Sequence, residues 1–231
     1  SAANELPMKI IPASDSSLLA VLGNTISPEV HERVIALFRA LQARQQAGIR
    51  NLHPAYASLL VDFDPLRISY DYVAGLVEGL AKSYQAANAS EARAVSIPVC
   101  YDAEFGPDLG DVAAHAGISI DEVIRLHSSA TYLVYFLGFS PGFAYMGGLL
   151  EKLHTPRLAT PRAQVAAGTV GIAGSQTGVY PVDSAGGWRL IGRTPLRMFD
   201  AGANPPTRLQ PGDRVKFEAI DRAAFAAIQG Q

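Results

Sequence analysis

Over residues 5–90, short apolar runs alternate with stretches whose apolar positions recur at helical spacing. Leu18-Leu19-Ala20-Val21-Leu22 reads as a buried strand. Ser27 offers a hydroxyl N-cap and Pro28 pre-sets φ at the first helical position; Val30, Val34, Phe38 and Leu41 then fall on one helical face. Gly48 is the expected stop, because glycine accepts the left-handed conformation at little cost. Residues 59–63 read as a second strand closed by Asp64-Pro65, and a second helix follows Ser69 with Val73, Leu76, Val77, Leu80 and Tyr84 on one face. This β-helix-β-helix order predicts a small α+β unit with its helices on one side of a sheet.

Residues 86–94 are small and polar and are the expected domain junction. Beyond it, residues 95–101 read as a strand, and two short helices follow. One runs from Asp108 to a stop at Gly117, and the other opens on the capping box formed by Ser119 and Glu122. Residues 131–137 are aromatic and β-branched, as a strand requires. The pattern then changes. Eleven of the 21 glycines lie between Gly138 and Gly192, with prolines at 141, 156, 161, 181 and 195. Short strands at residues 170–173, 179–182, 189–191 and 214–218 alternate with turns, which predicts a mostly β second domain, a barrel or a sandwich.

Composition narrows the partners. The net charge is -2, without the basic excess that nucleic-acid binding calls for. One cysteine, Cys100, rules out an internal disulfide or a thiolate metal cluster. No stretch of about 18 apolar residues is present to span a bilayer. Residues 1–11 lack the apolar core of a signal peptide, so the expected location is the cytoplasm. Ser1 in place of Met reads as the trace of a cleaved tag.

Several tempting motifs fail on physical grounds. Gly138-Phe139-Ser140-Pro141-Gly142 fits the nucleophile-elbow pattern, but the residue after the serine must lend an N–H to the oxyanion hole, and Pro141 has none. No Gly-Lys-Ser/Thr triplet exists for a phosphate loop. Gly168, Gly171, Gly174 and Gly178 lack dinucleotide-fingerprint spacing; they serve either close backbone packing or the approach of a ligand. Histidines 31, 53, 115, 127 and 154 have no metal-ligand spacing, so no metal is expected; His127 reads as a core histidine and Trp188 as a core aromatic. The arginines carry more chemistry. Thr155-Pro156-Arg157 and Thr160-Pro161-Arg162 repeat a stiffened turn, and Arg193-Thr194-Pro195 resembles them. Guanidinium forks suit carboxylate and phosphate, and between residues 140 and 195 only Glu151 and Asp183 are nearby acidic partners.

Residues 138–149 (GFSPGFAYMGGL), the Thr-Pro-Arg at Arg162, residues 168–181 (GTVGIAGSQTGVYP) and residues 186–195 (GGWRLIGRTP) resemble motifs of the KipI/PxpB family, also called allophanate hydrolase subunit 1. Residues 104–109 and the strand before Asp64-Pro65 extend the likeness over nearly the whole chain. Ala144 and Met146 depart from the family's usual proline and leucine without altering a charge. The resemblance implies an N-terminal α+β domain, residues 1–90, followed by a cyclophilin-like β-barrel domain, residues 91–231. It also implies a subunit that pairs with a KipA/PxpC-like protein and a PxpA-like protein in a 5-oxoprolinase, which opens 5-oxo-L-proline to glutamate with ATP and Mg2+ as co-substrate and no tightly bound cofactor. Such an enzyme phosphorylates the amide oxygen and makes its carbon electrophilic. Arg157, Arg162 and Arg193, with Gln176, Thr177 and Tyr180 as polar contacts, are the expected binding residues; no catalytic residue is assigned. An isolated chain is expected to be inactive. Two alternatives within the resemblance are an inhibitor of a sensor histidine kinase and a subunit of an allophanate or urea carboxyltransferase.

Overall fold

In the computed structural model, which describes residues 8–83 and 92–229, helix α1 (Pro28–Arg44) begins where Ser27 accepts a hydrogen bond from the Val30 N–H at 3.2 Å. It ends earlier than expected. Gln45, not Gly48, takes the left-handed C-cap (φ 47°), while Gly48 forms the turn into the next strand against Ile68. The chain divides into two compact units, Ser1–Ala92 and Arg93–Gln231.

The first unit is a four-stranded antiparallel sheet of β1 (Lys9–Ser14), β2 (Ser17–Val21), β3 (Ile49–Pro54) and β4 (Ser58–Phe63), in the order β1-β2-β4-β3. Helix α2 (Tyr70–Ser83) packs beside α1. Leu59, Val61 and Phe63 alternate inward from β4 and meet Val34, Leu37 and Leu41 of α1 and Val73 and Val77 of α2. Sequence periodicity finds the two central strands and misses both edges. Edge strand β1 is largely exposed and β3 mixes polar with half-buried positions, so neither carries a clear apolar alternation. Tyr84 and most of the expected junction lie outside the described residues.

In the second unit β5 (Ala94–Cys100), β6 (Thr131–Leu137), β7 (Ala144–Gly147), β9 (Thr169–Ala173), β10 (Gln176–Val179), β12 (Arg189–Arg193) and β13 (Arg214–Ile220) close into a barrel of order β10-β7-β6-β13-β5-β12-β9. The barrel, rather than the sandwich, is the architecture. Its strand near residue 180 lies at Gln176–Val179, ahead of the expected 179–182; the Tyr180 N–H still donates to the Thr169 carbonyl at 2.9 Å, and Pro181 has no N–H with which to continue the ladder. Strand β13 pairs with β5 in parallel over seven register positions, and Arg93 secures the start of that pair by hydrogen bonds to Asp213 and to the Arg208 carbonyl. β8 (Arg162–Val165) and β11 (Ser184–Gly186) form a separate two-stranded ribbon.

Helices α3 (Leu109–Ala116) and α4 (Ile120–Ser129) pack on one another and on the barrel, and α5 (Arg222–Gln229) lies against β5. At α4 the capping box forms by half. Ser119 accepts from the Glu122 N–H at 3.1 Å, while the Glu122 carboxylate turns to Arg125. Cys100 is buried. Among the described residues no helix is long and apolar enough to cross a membrane, and no group of three or more His, Cys, Asp or Glu is placed to hold a metal.

Candidate functional site

Beside the main barrel core lies a smaller cluster of Phe143, Val165, Ala173, Tyr180, Trp188 and Leu190. Its rings meet edge to face: Phe143 lies 5.3 Å from Trp188 and 5.2 Å from Tyr180, and Tyr145 lies 5.9 Å from Trp188. Such geometry places a ring's positive edge on a neighbour's negative face and fixes the rings in register. Glycines make the close approach possible. A Cβ on Gly178 would stand 3.0 Å from Phe143 and 3.1 Å from Trp188, so at this glycine the reading of close backbone packing holds. A Cβ on Gly186 would overlap the Tyr180 hydroxyl.

Two of the expected arginines reach this cluster. Arg157 lies over the Trp188 ring, its Cζ 5.8 Å from the centroid, a cation–π arrangement. Arg162 begins β8 and stands opposite Gly186 in the ribbon. Both charges act on Tyr180. Burial raises the pKa of its phenol, against the lowering effects of a hydrogen bond from the Trp188 backbone and of Arg157 and Arg162, so the hydroxyl stays protonated at neutral pH. Trp188 is buried, as its core reading expects.

Carboxylates distant in sequence organise the arginines. Asp108 Oδ1 accepts from Arg162 Nη2 at 2.7 Å, and Asp111 accepts from Arg189 at 2.8 Å. Neither acid is among the sequence neighbours, which are limited to Glu151 and Asp183; both come from the start of α3. A cue was available in the acid-poor surroundings of the arginines, which required partners from elsewhere in the fold.

The other expected residues separate. Arg193 ends β12, four residues or roughly 13 Å along the strand from Arg189. There its Nε donates to the Ala167 carbonyl at 2.9 Å and its guanidinium faces Phe105. It borders a different cleft, of about 660 Å³, with Asp183, Arg197, Phe199 and Asp200. Gln176 is half-buried at the start of β10. Thr177, expected as a polar contact, is fully buried. Its hydroxyl donates to the Gly171 carbonyl at 3.0 Å, so it must accept from His127 Nε2–H at 3.0 Å, and the remaining ring nitrogen, Nδ1, accepts from the Tyr101 hydroxyl at 2.7 Å. His127 is therefore a neutral core histidine whose polar edge is satisfied, and burial holds its pKa at about 3.

At the tip of the β6–β7 turn, sequence reasoning overlooked Phe139. It is 64% exposed with φ 67°, an uncommon backbone conformation for an aromatic residue, and its ring stands edge-on to Phe143 and Tyr180. The neighbouring Ser140 has a buried hydroxyl with no hydrogen-bond partner among the described residues, and His154 is engaged with the Leu149 carbonyl. Among the described residues no base is arranged to activate that serine.

Comparison with known proteins fits this architecture. Residues 8–209 match the family model for the carboxyltransferase domain, subdomain C and D. A Bacillus subtilis protein named as a 5-oxoprolinase subunit is 38% identical over 229 residues, spanning 93% of this chain and 94% of its own. A Haemophilus influenzae protein of the same name is 42% identical over 217 residues, spanning 91% and 97%. The crystal structure of TTHA0988 superposes with a TM-score of 0.80 at 38% identity; the match covers 89% of this chain but 40% of that longer one. By the family match, and by relatives aligned nearly end to end, this chain belongs to the KipI/PxpB family within the carboxyltransferase subdomain C and D domains.

Proposed function

We propose that this chain is a subunit of an ATP-dependent 5-oxoprolinase, working in the cytoplasm with a KipA/PxpC-like and a PxpA-like subunit to open 5-oxo-L-proline to L-glutamate. The observation that carries this reading is the near end-to-end likeness to two proteins named as 5-oxoprolinase subunits. The net reaction consumes ATP and two waters and yields glutamate, ADP and phosphate. Transfer of the terminal phosphoryl group of Mg-ATP to the lactam oxygen makes the adjacent carbon electrophilic toward water, and cleavage of the C–N bond opens the ring.

Such chemistry needs cationic donors for a substrate carboxylate and for a migrating phosphoryl group. In this reading Arg157 and Arg162 supply them, with the protonated Tyr180 hydroxyl beside them. Arg193 serves a second anionic group at the far end of β12. Among the described residues no nucleophile–base pair is built around Ser140, which accords with a chain that contributes binding and orientation and is inactive in isolation.

The test is Arg162→Ala in the reconstituted three-subunit assembly, with ATP-dependent glutamate formation as the readout. Loss of a charge-assisted hydrogen bond of about 1.5–3 kcal/mol predicts a fall in kcat/KM of about tenfold to a hundredfold. Turnover near that of the unaltered assembly would remove Arg162 from the site.

A further inference from the structure

We infer that Asp108 is the positioning residue of this site: it grips Arg162 through one guanidinium nitrogen and so presents the other to an anionic oxygen from outside the chain. This rests on the reading of the arginine face given above. Asp108 is 5% exposed and uses both carboxylate oxygens. Oδ1 accepts from Arg162 Nη2 and Oδ2 from the Leu190 N–H, each at 2.7 Å, while the Asp108 N–H donates back to the Leu190 carbonyl at 3.0 Å. Asp108 thus ties the start of α3 to β12 and to the first residue of β8, elements far apart in sequence.

Its placement is unusual for the helix. An aspartate at an N-cap ordinarily accepts from the N–H groups of the first turn. Asp108 occupies the N-cap of α3 and makes no side-chain cap bond. The carboxylate is committed to Leu190 and Arg162 instead.

On Arg162 the consequence is asymmetric. Nη2 is satisfied by Asp108, whereas Nη1, on a side chain that is 31% exposed, is itself covered and has no hydrogen-bond partner among the described residues, so an incoming oxygen reaches it by displacing a neighbouring group. Other arginines are differently engaged: Arg189 donates to Asp111 and to the Pro156 carbonyl, and Arg222 to Asp102 and Glu104. A buried charged donor gains most from an ionised acceptor, because there the water that would otherwise weaken the bond is excluded. The ligand class is a carboxylate or phosphoryl oxygen. Arg157 adds a second cation over the adjacent Trp188, and the Tyr180 hydroxyl lies against Gly186, opposite Arg162 in the ribbon.

A double-mutant cycle of Asp108→Asn and Arg162→Ala in the reconstituted assembly tests this, with KM for 5-oxo-L-proline, KM for ATP and kcat measured separately. Asparagine can still accept from the Leu190 N–H but cannot hold the guanidinium by charge. Asp108→Asn is expected to lower kcat/KM about tenfold, and adding it to Arg162→Ala should cost no more than about twofold further. The KM that rises identifies the oxygen as the substrate carboxylate or the nucleotide phosphoryl group. Independent, multiplying losses, or a silent Asp108→Asn beside a defective Arg162→Ala, would overturn the inference. A silent Arg162→Ala would instead overturn the reading of the arginine face itself. Should Asp108→Asn fail to fold, Arg162→Lys decides. Lysine retains the charge but not the fork, so it should be as impaired as Arg162→Ala, and activity within twofold of the unaltered assembly would overturn the role assigned to the second nitrogen.

Discussion

His127 shows how burial fixes a protonation state. Its ring stacks 4.7 Å from Phe217, both nitrogens are committed, and burial depresses its pKa from 6.5 to about 3. In the unfolded chain the same ring takes up a proton below pH 6.5, so the unfolded state binds more protons between pH 6.5 and 3. Stability is accordingly full above pH 6.5 and falls as the pH drops below it, by about 2 kcal/mol between pH 7 and 5. Urea unfolding at both pH values should show this loss, and His127→Gln, less stable overall, should lack that part of it. Parallel profiles for the two proteins would contradict the assignment. The polar run Tyr101–His127–Thr177–Gly171 also shows where residue-level reading stops. A core role for His127 is legible from its apolar helical neighbours, whereas Thr177 reads from sequence only as a polar contact. Its burial depends on β10 pairing with β9 and β7, which side-chain type does not reveal. Asp108 was hidden for a related reason: 54 residues separate it from Arg162.

Among the elements, the β8–β11 ribbon positions the site. Arg162 and Gly186 face one another across it, and the Tyr180 ring occupies the space a side chain at 186 would take. Gly186→Ala should push Tyr180 from its seat at a cost of about 1–3 kcal/mol and lower kcat/KM of the assembly. Gly187→Ala is the control, since an added Cβ there meets only Pro161 at 3.5 Å, an ordinary contact. Equal effects from the two substitutions would show that the Tyr180 seat is unimportant. Helix starts were the most legible features of the chain, because Ser27 and Ser119 act on N–H groups three residues away. The ribbon was not legible. Its strands have four and three residues, too few for a periodic signal, and they pair over an intervening hairpin.

For the molecule as a whole, local signals announced an α+β unit followed by a β-rich one, while closure of the barrel rests on long-range pairs. The parallel β5–β13 pair joins residues 120 positions apart, such as Arg214 with Ala94, and no turn motif encodes it. Closure brings α3 beside β12, and with it Asp108 and Asp111 beside the arginines whose local sequence lacked acidic partners. The site thus depends on the complete barrel even though most of its side chains come from residues 138–193. The central claim is that this arginine-bearing barrel serves a 5-oxoprolinase assembly. Its most direct test is ATP-dependent release of glutamate from 5-oxo-L-proline by the KipA/PxpC-like and PxpA-like subunits, with and without this chain, and by this chain alone. The account predicts glutamate only when all three are present. Equal glutamate formation without this chain, or robust formation by this chain alone, would contradict it.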